Sequence, residues 1–383
     1  MDGKPLFMVL VLSVLAISLV SLGQTATSTT VTYVSQPIMP EEVSISANIW
    51  YTFPLFVYAQ DVGEVNLVGQ ANVVNAPNYT SVSFNFTSTG YLLTPSGLKE
   101  LPINYFVLAV FPTGNGVYVL SFNTSSLVGN VTNSSGRTVF NITPIEEELW
   151  YYNGGTPTLA IKGNITSILP YGGGVYAVEY TNGKFFLLDI MNGRVVRSVA
   201  LPEQLFLLYN GENYLLASTS AISISSSLLE QFIILGMPET ETFTEIRFYK
   251  VFLNGTLVEV EPNINTTDAI LMAFPGELYG ANLYVAYSNG TYALYLYNGT
   301  SILKVVSWTS EMNSTTPSYL LPFALTSGRV VAYSIASFNP TAILGGGSLL
   351  SSIVNLLVNV NGSWAKYSSV SVNGVPLAMT ENG

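Results

Sequence analysis

From residue 31 onward, apolar and polar residues alternate in short runs, and the three- and four-residue spacing of an amphipathic helix is scarce. Runs such as Val117-Tyr118-Val119-Leu120-Ser121-Phe122 and Leu283-Tyr284-Val285-Ala286-Tyr287 are rich in β-branched and aromatic residues, which fit a pleated surface. Residues 80 to 90 (TSVSFNFTSTG) alternate cleanly, as a strand with one buried face does. Asn-Gly connectors punctuate the runs at Asn153, Asn182, Asn192, Asn210, Asn254, Asn289, Asn298, Asn361 and Asn373. Both residues of that dipeptide tolerate positive φ, so it predicts hairpins. Only residues 225 to 235 (SSSLLEQFIIL) and 348 to 357 (SLLSSIVNLL) carry short helical spacing. The predicted fold class is all-β.

The runs repeat. Residues 172 to 198 read as strand, Asn-Gly, strand, Asn-Gly, strand, and residues 280 to 307 restate that grammar about 107 positions later. Residues 210 to 223 and 327 to 340 then parallel each other, as do the elements around Asn254-Gly255 and Asn373-Gly374. A fainter copy runs from residue 114 to 123 and on to 148 to 163. Meander units of roughly 45 to 60 residues predict a β-propeller. Tandem β-sandwiches also generate strand-turn-strand text and are the alternative. The expected organisation is a leader over residues 1 to 24, an N-terminal β region over 25 to 110 (first blades or a small sandwich), and a propeller-like repeat domain over 111 to 383.

One unit carries a family resemblance. Gly174, Tyr176-Ala177 and Leu188-Asp189-Ile190-Met191-Asn192-Gly193-Arg194-Val195 give residues 174 to 201 the cadence of a blade that resembles the quinoprotein-like or YVTN-type propellers. The resemblance spans about residues 110 to 383 and implies the fold. It implies no cofactor, because the tryptophan docking motif of quinone-binding members is missing. The Gly-His and Trp-Asp pairs of WD40 blades and the sialidase Asp-box are missing as well.

The N-terminus reads as an export signal. Lys4 and the amino group precede an apolar stretch from Leu6 to Leu22, and small and polar residues follow from Gly23 to Thr30. At 17 residues that stretch is also at the short limit for an uncleaved anchor. Residues 27 to 35 (TSTTVTYVS) have strong β propensity and suit a strand that closes a ring or is donated to a neighbouring subunit. Downstream lie thirteen N-x-Ser/Thr sequons: Asn78, Asn85, Asn123, Asn130, Asn133, Asn141, Asn164, Asn254, Asn265, Asn289, Asn298, Asn313 and Asn361. Chance in a chain of this composition gives roughly six, so the excess points to exported, sugar-bearing loops. N-linked glycans are therefore the expected partners, with other surface-layer or filament subunits beside them.

Charged residues make up only 9% of the chain and net charge is −11, with no cysteine or histidine. Scattered Lys and Arg in a net acidic chain argue against nucleic-acid binding. Missing thiols rule out the disulfides common in secreted proteins. Few charges and no thiols suit hot, acidic surroundings, where the 23 carboxylates neutralise and the 12 Lys and Arg remain charged. In these respects the chain is similar to the secreted surface glycoproteins of thermoacidophilic archaea.

Without His and Cys, Ser-His-Asp and Cys-His catalysis and nitrogen- or sulfur-ligated zinc are excluded. Only carboxylates remain. Asp61, Asp189 and Asp268 are the mature aspartates, and none lies in an Asp-Thr/Ser-Gly turn. Glutamates cluster at Glu146-Glu147-Glu148, at Glu239, Glu241 and Glu245, and at Glu259 with Glu261. On a strand, Glu146 with Glu148 and Glu259 with Glu261 project together, as two-carboxylate glycoside hydrolysis or Ca²⁺ ligation requires. Solvated charges on edge strands give the same text. Trp50-Tyr51, Trp150-Tyr151-Tyr152, Tyr295, Tyr297 and Trp308 are candidate sugar-stacking platforms and equally ordinary cross-strand pairs. No residue is nominated as catalytic, cofactor-binding or metal-ligating. The expected function is that of a secreted, N-glycosylated structural or adhesive surface protein, with an acid-stable extracellular hydrolase or a glycan-binding module as alternatives.

Overall fold

The computed structural model describes residues 29–30, 43–76, 79–134, 137–142, 146–224, 245–276, 279–309, 324–327, 330–338, 350–360 and 363–372. All regular structure among them is antiparallel β, and the chain divides into two compact units, residues 1–163 and 164–383.

The first unit begins with β1 (Thr29–Thr30), β2 (Val43–Tyr58), β3 (Asp61–Ala76), β4 (Tyr79–Thr94) and β5 (Gly97–Glu100). It continues through β6 (Phe106–Thr113), β7 (Gly116–Phe122), β8 (Leu127–Ser134), β9 (Arg137–Ile142), β10 (Glu147–Tyr152) and the start of β11 (Thr158–Tyr171). One sheet has the order β1-β2-β3-β4-β8-β9, with β5 paired to β4. β6, β7 and β10 form a second layer, and Val65 from the first sheet packs with Val107, Val110, Val117, Val119 and Tyr152 from the second. Leu101 and Ile103, between β5 and β6, complete that core. Gly63 allows the approach: a Cβ there would strike the carbonyl oxygen of Val110.

The alternation over residues 80 to 90 does what it predicts. Phe84, Phe86 and Ser88 are buried, whereas Ser83, Asn85 and Thr87 are exposed. Of residues 27 to 35, only Thr29–Thr30 is described, paired with Ser46 and Ala47 of β2. Along β11, Thr158 to Gly163 pair with β10 and Asn164 to Tyr171 pair with β12 (Gly174–Thr181).

In the second unit, β12 is followed by β13 (Lys184–Met191) and β14 (Arg194–Leu201), which complete a four-stranded meander with the end of β11. β15 (Phe206–Asn210), β16 (Leu215–Ser218), β17 (Ile222–Ile224), β18 (Phe248–Val251) and β19 (Leu257–Val260) come next. β15-β16-β18-β19 form the second sheet. β17 instead edges the third, β17-β20-β21-β22-β23, built from β20 (Ala269–Phe274), β21 (Ala281–Tyr287), β22 (Thr291–Tyr297) and β23 (Ile302–Thr309). The fourth is β24 (Ala324–Ser327), β25 (Val330–Phe338), β26 (Leu350–Val360) and β27 (Ser363–Val372), in chain order.

Packing separates the two architectures that the sequence left open. β16 is buried on both faces: Leu215 and Ala217 join Val178, Leu187 and Leu205 in one core, while Leu216 joins Phe248, Leu271 and Leu283 in the next. The third sheet likewise contributes Tyr284, Leu294 and Leu296 to a further core with Leu357 of β26. A two-layer sandwich buries one face of each sheet. Four-stranded meanders stacked face to face in chain order make this unit propeller-like. The helical spacing of residues 348 to 357 is overruled, because Leu350–Val360 pairs with β25 on one side and β27 on the other. Asn355 and Leu357, two apart, are the buried positions among its described side chains. Residues 225 to 235 lie outside the described residues.

Candidate functional site

The thirteen sequons fall into distinct local settings. Two occupy hairpin loops of the same construction. In Leu253-Asn254-Gly255, the N–H of Phe252 donates to Thr256 O (2.9 Å) and that of Gly255 to Phe252 O (2.9 Å). In Ser288-Asn289-Gly290, the N–H of Gly290 donates to Tyr287 O (3.0 Å). Gly255 and Gly290 have φ of 89° and 77°, which makes these three-residue loops with glycine in the left-handed position. In each, the asparagine Oδ1 accepts the backbone N–H two residues on, from Thr256 (3.0 Å) and Thr291 (2.9 Å), closing an Asx turn. Asn265, ahead of β20, makes the same turn with Thr267 N–H (3.1 Å) and takes the Thr267 hydroxyl as well (2.8 Å). All three asparagines are exposed.

Asn298 also makes the turn, accepting from the N–H of Thr300 and of Ser301 at 2.9 and 2.8 Å, but it is half-buried. Lys250 Nζ donates to the Thr300 hydroxyl at 2.7 Å, and Tyr214 Oη donates to the Asn298 carbonyl at 2.7 Å.

The strand-borne sequons differ. Asn85 sits in β4 between Gln70 of β3 and Val128 of β8, and the hydroxyl of its partner Thr87 donates to Val68 O at 3.3 Å. Asn164 is half-buried on β11, and the hydroxyl of buried Thr166 donates to Val178 O at 3.2 Å. Asn123 is exposed, but its carboxamide accepts the Glu146 N–H (3.1 Å) and donates to Glu146 Oε2 (3.5 Å). Asn130, Asn133 and Asn141 occupy β8 and β9, where Asn130 and Asn141 are direct register partners. Asn78, Asn313 and Asn361 lie outside the described residues.

Among the described carboxylates, Glu146 and Glu148 are brought together, and a residue that the sequence reading missed joins them. Lys162 Nζ lies 2.8 Å from Glu146 Oε2 and 3.5 Å from Glu148 Oε1. Lys162 is the register partner of Glu148, a cross-strand charge pair legible only once the β10–β11 register is known. The hydrogen bond and charge of Glu146 hold the Lys162 ammonium above its ordinary pKa. Glu148 is buried, and its Oε2 has no hydrogen-bond partner among the described residues. A carboxylate pair bridged by an ammonium is neutralised in part, which is not the arrangement that sets one carboxyl up as acid beside the other as base.

Glu245, Glu259 and Glu261 are exposed, and Glu239 and Glu241 lie outside the described residues. Asp189 accepts the Tyr171 hydroxyl at 2.7 Å, as a structural hairpin residue. Asp268 has φ of 59° in the turn before β20. Burial raises the Asp61 carboxyl above its ordinary value, as it does those of Glu64 and Glu179, which the sequence reading did not single out. Among the described residues no group of three or more Asp or Glu is placed to hold a metal ion.

The aromatic candidates serve mainly as packing. Tyr151, Tyr152 and Tyr297 are buried, and Tyr295 is half-buried with Lys304 Nζ 6.0 Å from its ring centre. Trp150 stacks on Tyr105 at 5.7 Å while packing against the core of its unit. The side chains of Trp50, Tyr51 and Trp308 lie outside those described.

No family model and no curated protein matches the chain. Among solved structures it is similar to a mutant levansucrase of Bacillus megaterium, with 11% identity over 95% of this chain and 96% of that one, at a TM-score of 0.30. AztD of Citrobacter koseri matches at 10% identity over 87% of this chain and 97% of that one, at a TM-score of 0.21. The WD40 domain of SCAP from fission yeast matches at 8% identity over 90% and 77%, at a TM-score of 0.20. Likenesses this distant assign neither activity nor ligand to this chain.

Proposed function

We propose that the protein is an exported, N-glycosylated cell-surface protein with a structural or adhesive role, a component or accessory of a surface layer or extracellular filament. One observation carries the reading: the sequons at Asn254, Asn265 and Asn289 present exposed carboxamides from turns, as an external glycosyltransferase requires. The chain supports it in two further ways. With 9% charged residues, its surface relies on hydrogen-bonding groups that sugars would supplement. Three carboxyls raised by burial fit the acidic setting of a thermoacidophilic archaeal surface, where they would be protonated.

Intact-mass measurement and glycopeptide mapping of the protein isolated from its native cell envelope test this. Occupied sequons, loss of roughly the first 24 residues as in a cleaved signal, and co-fractionation with the envelope are the expected results. Unmodified asparagines on a chain with an intact N-terminus would overturn it.

A further inference from the structure

We infer that the sequons are not equivalent on the folded protein: Asn254, Asn265 and Asn289 carry glycans, whereas Asn85, Asn123, Asn164 and Asn298 are closed to transfer. The inference rests on the glycoprotein reading above and adds to it the site selection.

Transfer forms a bond between asparagine Nδ2 and the anomeric carbon of a saccharide activated as a phosphate or diphosphate ester. The anomeric carbon–oxygen bond breaks, its electron pair leaves on the phosphate, and one Nδ2 proton passes to a base of the transferase. The acceptor must therefore offer a projecting, unencumbered Nδ2, and the hydroxyl two residues on must be readable by the enzyme. In the three open sites, the Asx turn occupies Oδ1 with a backbone N–H and fixes the side chain. No described residue accepts a hydrogen bond from Nδ2 there, and none outside the sequon engages the threonine hydroxyl.

Each closed site fails a stated requirement. Asn85 lies in a strand hydrogen-bonded on both sides, and its Thr87 hydroxyl is spent on Val68 O. Thr166 is buried and bonded to Val178 O, so the hydroxyl of the Asn164 sequon cannot be read. Both ends of the Asn123 carboxamide are held by Glu146. Asn298 has the right turn, but Lys250 caps its Thr300 hydroxyl.

The non-sequon hairpins supply a control. Asn182-Gly183 and Asn192-Gly193 have positive φ at both residues (51° and 78°, 48° and 72°), the two-residue mirror-image turn, so exposed Asn182 is presented without an Asx turn.

The test is site-resolved occupancy by glycopeptide mass spectrometry of the full chain exported from its native host, alongside two variants. Asn254, Asn265 and Asn289 should be at least about tenfold more occupied than the four closed sites, the ratio that 1.4 kcal/mol of discrimination gives. Lys250→Met, which frees the Thr300 hydroxyl, should raise occupancy at Asn298. Lys184→Thr, which completes a sequon on the mirror-image turn, should leave Asn182 bare. Equal occupancy at open and closed sites, or sugar on Asn182 at the level of Asn254, would overturn the selection while leaving the glycoprotein reading intact. Sugar at no site would remove that reading and the selection with it.

Discussion

Leu215 and Leu216 are neighbours in sequence and members of different cores, so replacing each in turn tests whether the second sheet of the second unit is packed on both faces. Leu215 is 1% exposed and Leu216 fully buried. Leu→Ala removes about three carbons, worth roughly 2.4 kcal/mol at ~0.8 kcal/mol per buried methylene. β16 is held by β15 and β18 on its two edges and cannot collapse into the gap. A residual cavity of roughly 50 Å³ then adds about 1.2 kcal/mol. Each variant should lose about 3–4 kcal/mol, against about 0.5 kcal/mol or less for Leu303→Ala on the surface. Guanidinium unfolding gives the magnitudes, and peptide-resolved hydrogen exchange gives the location. Leu215→Ala should accelerate exchange in β12 and β13, and Leu216→Ala in β20 and β21. If only one substitution costs more than about 1 kcal/mol, or if both accelerate the same strands, the sheet has one packed face and the propeller-like stack is wrong.

Gly183 has φ of 78° with nothing near the place of a Cβ, so Gly183→Ala should cost only the backbone strain, about 1 kcal/mol in urea unfolding. Gly174→Ala should cost more, because its Cβ would meet the Ile190 carbonyl; the reverse order would refute the packing of β12 on β13. Tyr171→Phe removes a half-buried hydrogen bond to Asp189 and should cost about 1.5 kcal/mol; no change would mean that water replaces it fully. Asp61, Glu64 and Glu179 have folded pKa values raised by desolvation above their ordinary 3.8, 4.5 and 4.5. Their contribution to stability is therefore fully present below those ordinary values and is lost as pH rises through the raised ones. The urea midpoint should gain from these groups between pH 7 and pH 4, and the Asp61→Asn, Glu64→Gln, Glu179→Gln triple variant should lack that gain; identical pH profiles would refute it.

Strand content was legible because the alternation at residues 80 to 90 and the β-branched runs depend on local chemistry alone. The extent of the first strands was not. β2, β3 and β4 each run 16 residues, although Pro54 lies inside β2. The register shift between Pro54 and Phe56 places that proline at a bulge, where the ladder does not need its missing N–H. Residues 348 to 357 misled for a related reason: apolar residues four apart share one face of a strand as they share one face of a helix, and pairing on both edges decided between them. The sequons were all readable as sequons, but their settings were not. Lys250 reaches Thr300 across 50 positions, and Val178 takes the Thr166 hydroxyl across 12. The first contact follows from which sheet faces which, the second from the register shift between β11 and β12.

The Asn-Gly dipeptide shows how far a local signal carries before its context decides. Thr181 pairs with Lys184 around Asn182-Gly183, leaving a two-residue loop whose twist demands positive φ at both positions. The hydrogen bond from Phe252 N–H to Thr256 O encloses three residues instead, so only Gly255 takes positive φ and Asn254 stays in the right-handed half of the map. In that conformation the Asn254 Oδ1 reaches the N–H of exposed Thr256, the residue just before β19. One added loop residue thus converts a bare strand connector into an Asx turn. At Asn182, Asn254 and Asn289 the number of residues between paired positions, rather than the dipeptide itself, decides whether the Asx turn forms.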